Sequence, residues 1–345
     1  MKSMLRAVFF ALLLCAAAVL AASKPKSVMV LKLPRSGSSW FVSLLSQQRG
    51  VWVVPQLLKP DGEHEEQNDA RDIELLQAAL SAPYKANEAE LGEAQRLVGF
   101  SMNPLKMANE SRFDDGKLLA PLVKKRDAFV VLYERTNLVK QAIATMRGAC
   151  LKQLCHFNNI VSNAAAWNKS HVLLNGANSS KDFQACALAQ RQRVPLKELR
   201  CTIVWHAAAR DTLRRLHALV APRADRRLYV AYEALQRNLT GTLAALFADS
   251  ALGPLDGALQ TVQFFSKTTD ENLKDVVLNY GEVFEMFEEE RSACLLEMLQ
   301  VDHARQFNTS DCPMPRSWLK ECRAWLPQPK PLAPGFPDHC LLVSQ

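Results

Sequence analysis

The sequence predicts an α/β fold: three layers, with a mostly parallel sheet between helices. Three observations carry this. Val28–Leu33 and Ala128–Tyr133 are almost wholly apolar runs of strand length, the pattern of strands covered on both faces. Each is followed by a helical stretch, Ser39–Gln47 and Leu138–Met146, and strands alternating with helices point to parallel pairing. Between the first strand and its helix lies a small-residue loop, Leu33-Pro34-Arg35-Ser36-Gly37-Ser38-Ser39-Trp40. Such a loop wraps backbone N–H groups around an anion and aims a helix N-terminus at it.

The remaining elements follow in order. Val51–Leu57 is a second apolar segment whose strand character ends at Pro55. Asp61–Ala70 is acidic and polar and leads into a helical pattern at Ile73–Leu80. Leu97–Met102 is a short strand stopped by Asn103-Pro104, and Leu118–Lys124 has helical spacing. Asn168–Asp182 is a polar loop. Pro195 suits the first position of a helix that runs to Val220, because its fixed φ and missing N–H cost nothing there. Leu228–Tyr232 is a further strand, and Thr240–Phe247 a helix with Thr240 as its cap. Beyond Cys312 the chain turns Pro-rich and loses periodicity, and no internal repeat is present. The expected organisation is a leader at residues 1–23, one α/β domain at 24–311 and a Pro/Cys-rich segment at 312–345.

Composition narrows the function. The chain has 345 residues, 48% apolar and 22% charged, with a formal net charge of +7. That surplus suits an anionic substrate. It is too dispersed, with no basic run interleaved with aromatics, to mark a nucleic-acid binder. Lys2 and Arg6, the apolar run Ala7–Leu20 and the small residues Ala21-Ala22-Ser23 form a secretory signal peptide by pattern. An uncleaved anchor is the other reading, and only that reading brings a membrane. Asn109, Asn168, Asn178, Asn238 and Asn308 each begin an Asn-X-Ser/Thr acceptor. Eight cysteines lie outside the leader: Cys150, Cys155, Cys186, Cys201, Cys294, Cys312, Cys322 and Cys340. An even count behind a signal peptide argues for disulfides, with the C-terminal four placed to staple that end. No Cys-x-x-Cys occurs, so no metal is expected.

The loop lacks the Gly-Lys-Ser/Thr ending that a nucleoside triphosphatase uses for magnesium and the β- and γ-phosphates. A second motif, Arg135-Thr136-Asn137-Leu138, stands at the end of the strong strand. With these two, and with Tyr232-Glu233-Ala234-Leu235 and Lys267-Thr268-Thr269-Asp270 through Asn279-Tyr280, the chain resembles the sulfotransferases that use 3′-phosphoadenosine 5′-phosphosulfate. It is most similar to their secretory and bacterial carbohydrate-type branch. The resemblance spans residues 28–285 and implies a P-loop-type α/β domain acting on a hydroxyl acceptor, a carbohydrate first, in the Golgi lumen or after secretion.

The resemblance also implies roles. Arg35 takes the bridging oxygen between phosphate and sulfate, and its pKa makes it an electrostatic stabiliser rather than an acid. Ser36, Gly37, Ser38, Ser39 and Trp40 complete the 5′-phosphosulfate loop. Arg135 binds the 3′-phosphate through its fork, and Lys267 approaches the phosphates from the C-terminal side. The family adds a serine on the following helix where this chain has Ala144, so Thr145 is the substitute. A glutamate base expected past the loop falls on Gln56, which leaves Glu63 and His64 as candidates, His64 by its intrinsic pKa. Ser101 stands where a lysine is common and Ala234 where aspartate is. These departures support a second reading, a non-catalytic nucleotide- or glycan-binding relative. A kinase is disfavoured, because no Lys-Ser/Thr closes the loop.

Overall fold

Five parallel strands lie in the order β2-β3-β1-β4-β5. In the computed structural model the described residues are 26–48, 50–54, 97–104, 116–154, 186, 189–248, 272–301, 305–308 and 312–325. The acidic stretch Asp61–Ala70, the helix at Ile73–Leu80, the loop Asn168–Asp182 and the leader fall outside them.

The strands are β1 (Lys26–Lys32), β2 (Val51–Val54), β3 (Leu97–Met102), β4 (Phe129–Glu134) and β5 (Arg227–Ala231). The helices are α1 (Ser38–Gln47), α2 (Leu119–Arg126), α3 (Leu138–Leu154), α4 (Leu196–Val220), α5 (Tyr232–Arg237), α6 (Leu239–Ala248), α7 (Leu273–Val276), α8 (Tyr280–Glu289), α9 (Ala293–Gln300) and α10 (Arg316–Glu321). The expected α/β architecture with a parallel sheet and helices on both faces is therefore present.

Strand alternation sorts the core into two layers. Val28, Val30, Phe129, Val131 and Tyr133 pack under α1, α5 and α6 with Phe41, Leu44, Leu243 and Phe247. Met29, Leu31, Val130 and Leu132 face the other way, against α2 and α4 with Leu122, Trp205, Leu213 and Leu216. Both faces being covered explains why β1 and β4 read as continuous apolar runs. Gly99 on β3 pairs with Val28 on β1, where a Cβ would overlap the Val28 carbonyl oxygen.

A third cluster lies beyond the sheet. Leu138, Ile143 and Met146 of α3 meet Leu199 and Ile203 of α4 and the helices α7 to α10. Trp318 of α10 is fully buried there, and Cys201 of α4 is disulfide-bonded to Cys322. Cys294 pairs with Cys312, and Cys150 and Cys186 are also disulfide-bonded. The C-terminal cysteines thus do not staple only one another, since Cys322 reaches back to the sheet-covering helix.

Local differences from the sequence reading have local causes. Tyr232 opens α5 rather than closing β5. The cap of α6 is Asn238, whose side-chain oxygen accepts the Gly241 N–H at 2.9 Å, while Thr240 lies inside the helix. Helix α3 continues past Met146 to Leu154. Pro195 caps α4 rather than starting it.

The disulfides close loops of different length, 121 and 18 residues. The entropy of closing such loops in the unfolded chain then gives about 5 kcal/mol for the longer and about 3 kcal/mol for the shorter. Urea unfolding of Cys322→Ser and Cys294→Ser should show losses in that order.

Candidate functional site

Strand order places the site. From β1 the chain leaves toward β2 and β3, whereas β4 leads away to β5 on the other side. Loops leaving neighbouring strands in opposite directions open a crevice at their C-terminal ends, the usual ligand position in such sheets. Here those loops are Leu33–Gly37 after β1 and Arg135–Asn137 after β4.

The first loop is shaped by two left-handed residues, Arg35 (φ 57°) and Gly37 (φ 80°). Non-glycine residues adopt that region at a cost of roughly 1 kcal/mol. The Ser36 hydroxyl donates to the Leu33 carbonyl at 2.8 Å and is fully buried, so it closes the turn from inside. Gly37 lies under the Tyr232 ring: a Cβ there would meet Cδ2 and Cε2 at 2.6 Å. Tyr133 donates to the Gly37 carbonyl at 3.4 Å and stacks on Phe41 with centroids 4.5 Å apart. Trp40 meets Tyr232 edge-on at 5.7 Å, which packs α1 against α5. Ser38 is buried and Ser39 exposed at the start of α1.

The second loop is held by a buried carboxylate. Glu233, at the start of α5, accepts the Thr136 N–H on both oxygens and the Asn137 N–H on Oε1, each at 3.0 Å. Asn137 caps α3 by accepting the Lys140 N–H at 2.9 Å and donates to the Met298 carbonyl at 2.8 Å. The Thr136 hydroxyl oxygen accepts the Phe307 N–H at 3.1 Å. Arg135 itself lies 4.8 Å over the Tyr232 ring, 8% exposed, with its Nε buried and unbonded.

Helix α4 runs a polar ladder along β4 and this loop. His217 Nε2 is 2.9 Å from the Val130 carbonyl oxygen. Arg214 grips the Glu134 carboxylate with Nε at 3.0 Å and Nη2 at 2.9 Å. Arg210 Nη1 donates to the Thr136 carbonyl at 3.1 Å, and burial lowers its pKa to about 10. His206 Nε2 is 2.9 Å from Thr145 Oγ1. The rungs are one helical turn apart. His206 is fully buried, and burial together with the Arg210 and Arg135 cations pushes its pKa down to about 3. The ring is therefore neutral.

Comparisons with known proteins place the chain only loosely. No protein-family model matches it, and no curated protein matches it in sequence. Solved structures of similar fold include two sulfotransferases. One is mouse sulfotransferase SULT7A1 complexed with PAP, 12% identical, with 79% of this chain and 88% of that chain covered at a TM-score of 0.31. The other is the sulfotransferase domain from the curacin biosynthetic pathway, 10% identical, with 87% and 97% covered at 0.32.

The crevice brings together Arg35, Ser36, Gly37, Ser38, Ser39, Trp40 and Arg135. Gln141 of α3 ties the two loops by donating to the Pro34 carbonyl at 3.0 Å. Thr145 lies one turn further along α3, with its hydroxyl proton on the Gln141 carbonyl at 2.9 Å and its oxygen against His206. Arg35 has no ion pair among the described residues, and burial lowers its pKa. Glu63, His64 and Lys267 lie outside the described residues. Among the described residues no cluster of His, Cys, Asp or Glu is arranged for a metal. Sequence reading missed the α4 ladder and Gly148 of α3. The signals were a polar stripe at His206, Arg210 and Arg214 and a glycine inside a helix.

Two outcomes are expected. Glu233→Ala strands the Thr136 and Asn137 amides and should cost about 3 kcal/mol in urea unfolding, with faster hydrogen exchange at both. His206 protonates near 6.5 in the unfolded chain but near 3 when folded. Between those values the unfolded chain binds the extra proton, so acid favours unfolding, by about 2 kcal/mol at pH 5. His206→Gln should flatten the fall in melting temperature between pH 6.5 and 4.

Proposed function

We propose that the protein is a sulfotransferase. It moves a sulfuryl group from 3′-phosphoadenosine 5′-phosphosulfate to a hydroxyl, most readily of a carbohydrate, within the secretory pathway. One observation carries the reading. Two guanidiniums, Arg35 and Arg135, stand on neighbouring loops at the sheet's switch point without a carboxylate partner among the described residues, and the Arg135 Nε is buried and unbonded. A donor with phosphate groups at both ends of its ribose supplies an anion for each loop.

Sulfuryl transfer is an in-line displacement. The acceptor oxygen forms a bond to sulfur as the bond from sulfur to the bridging oxygen breaks, and adenosine 3′,5′-bisphosphate leaves with that electron pair. Catalysis is positioning plus neutralisation of charge on the leaving oxygen. Arg35 neutralises that oxygen, and the backbone around Gly37 with Ser38 and Ser39 at the head of α1 holds the 5′-phosphate. Arg135 binds the 3′-phosphate, its fork pre-set by stacking on Tyr232. Thr145, next to Ala144 on α3, is the substitute hydroxyl, with its proton on the Gln141 carbonyl, and Lys267 adds positive charge. The acceptor proton passes to His64, or to Glu63 beside it.

Disulfides among the described cysteines are compatible with an oxidising compartment. That supports the secretory assignment, together with the leader and the glycan acceptors, of which Asn238 and Asn308 are exposed. The departures at Gln56 and Ala144 favour the second reading, a relative that binds nucleotide or glycan without transfer.

Purified protein, radiolabelled sulfate donor and a panel of glycans and tyrosine peptides separate the two. The expected result is incorporation that falls about 100-fold or more in Arg35→Ala, with about tenfold weaker donor binding in Arg135→Ala. Donor binding without transfer would select the second reading. Failure to bind adenosine 3′,5′-bisphosphate would overturn both.

A further inference from the structure

Helix α3 contains a glycine at position 148, well inside Leu138–Leu154. An interior glycine costs a helix about 1 kcal/mol relative to alanine, so its presence asks for a reason. Backbone conformation is not that reason, since Gly148 is not among the positive-φ glycines. Space is. A Cβ on Gly148 would stand 2.6 Å from Arg35 Nε and nearer still to Cζ and Nη2, and these are its three nearest atoms. The Arg35 guanidinium lies flat on the bare backbone of α3.

We propose that Gly148 is a positioning residue for Arg35. The same face of α3 holds the loop twice. Gln141, two turns earlier, fixes the Pro34 carbonyl at 3.0 Å, and Gly148 receives the guanidinium of the next residue. Between these contacts Arg35 keeps its left-handed backbone, φ 57°. The helix that begins at the Arg135 loop therefore also sets the reach of Arg35, so both cations are indexed to one rigid element. On the sulfotransferase reading, on which the catalytic part of this inference rests, that fixes the spacing between the cation at the leaving oxygen and the cation at the 3′-phosphate.

The consequence of a methyl group there is unusual. The atoms it displaces are the end of a flexible side chain, not backbone or packed core. Gly148→Ala should leave the fold intact and, by helix propensity, hold or raise the melting temperature. The guanidinium, however, must retreat by about 1 Å, a displacement that costs on the order of 100-fold when it falls on a positioned catalytic group.

The test has two readouts. In the transfer assay Gly148→Ala should lower kcat at least tenfold, and affinity for adenosine 3′,5′-bisphosphate should weaken as well, because that product keeps the oxygen that Arg35 meets. In an Arg35→Ala background the same substitution should change nothing further, the non-additivity expected of residues acting as one. Independently of transfer, phenylglyoxal modification of Arg35, read by peptide mass spectrometry, should run several-fold faster in Gly148→Ala than in the unsubstituted protein. Unchanged Arg35 reactivity, or a clear drop in melting temperature, would overturn the seat. A faster Arg35 modification in a protein that transfers no sulfate would keep the seat and remove the sulfotransferase reading.

Discussion

The buried carboxylate of Glu233 is the contact on which the rest of the site depends. The turn from β4 into α3 presents N-terminal amides that no intrahelical carbonyl reaches. Water cannot serve them, because Thr136 and Asn137 are buried. Glu233 accepts both N–H groups, and charge-assisted bonds of this kind are about twice as strong as neutral ones. Its own position follows from β5, which turns into α5 at Tyr232. An edge strand thereby fixes the loop of a central strand. Tyr232, one residue earlier, lies under Arg135 and over Gly37, so a single strand-to-helix turn shapes both loops.

The charge balance of the crevice follows from the same arrangement. Two buried carboxylates stand near it, yet neither faces it. Glu134 is held by Arg214 on the α4 side, and Glu233 is held by the backbone amides. Arg35 and Arg135 are left with no anionic partner among the described residues. Cations taken from water without counter-ions are costly; Arg135 is buried and Arg35 half-buried, and desolvation lowers the pKa of Arg35. A fold keeps such groups where an anionic ligand offsets the cost, and the loop geometry around Gly37 points the same way. His206 adds no charge, being neutral at any physiological pH.

The sheet was legible in the sequence because it is covered on both faces. Complete burial makes β1 and β4 continuous apolar runs, and length with flanking loop residues separates them from helices. The ends of elements were less legible. Tyr232 is apolar enough to extend a strand by pattern, but Glu233 must turn inward to meet the amides, and the chain goes helical one residue early. The two crevice loops were readable because their chemistry is local: small residues, hydroxyls and arginines within a few positions. The α4 ladder was not, since each rung is a contact between distant segments, such as Arg210 with Thr136 across 74 residues. Gly148 carried a local signal, a glycine inside a helix, but its meaning depends on a side chain 113 positions away, a separation read directly from the numbering.

The C-terminal helices belong to this account as more than a cover. Asn137 donates to the carbonyl of Met298, and the Phe307 N–H meets Thr136. Both contacts reach the Arg135 loop from the segment that the disulfides hold, since Cys294–Cys312 brackets Met298 and Phe307, and Cys201–Cys322 ties the end of α10 to α4. Helix α4 carries the Arg210 rung to the same Thr136. Three directions therefore converge on one turn: α5 through Glu233, α4 through Arg210, and the cysteine-bonded segment through its backbone. Removing any one leaves a buried polar group of that turn unpaired. The disulfide-bonded segment thus touches the loop that carries Arg135 through two backbone groups, the Met298 carbonyl and the Phe307 N–H.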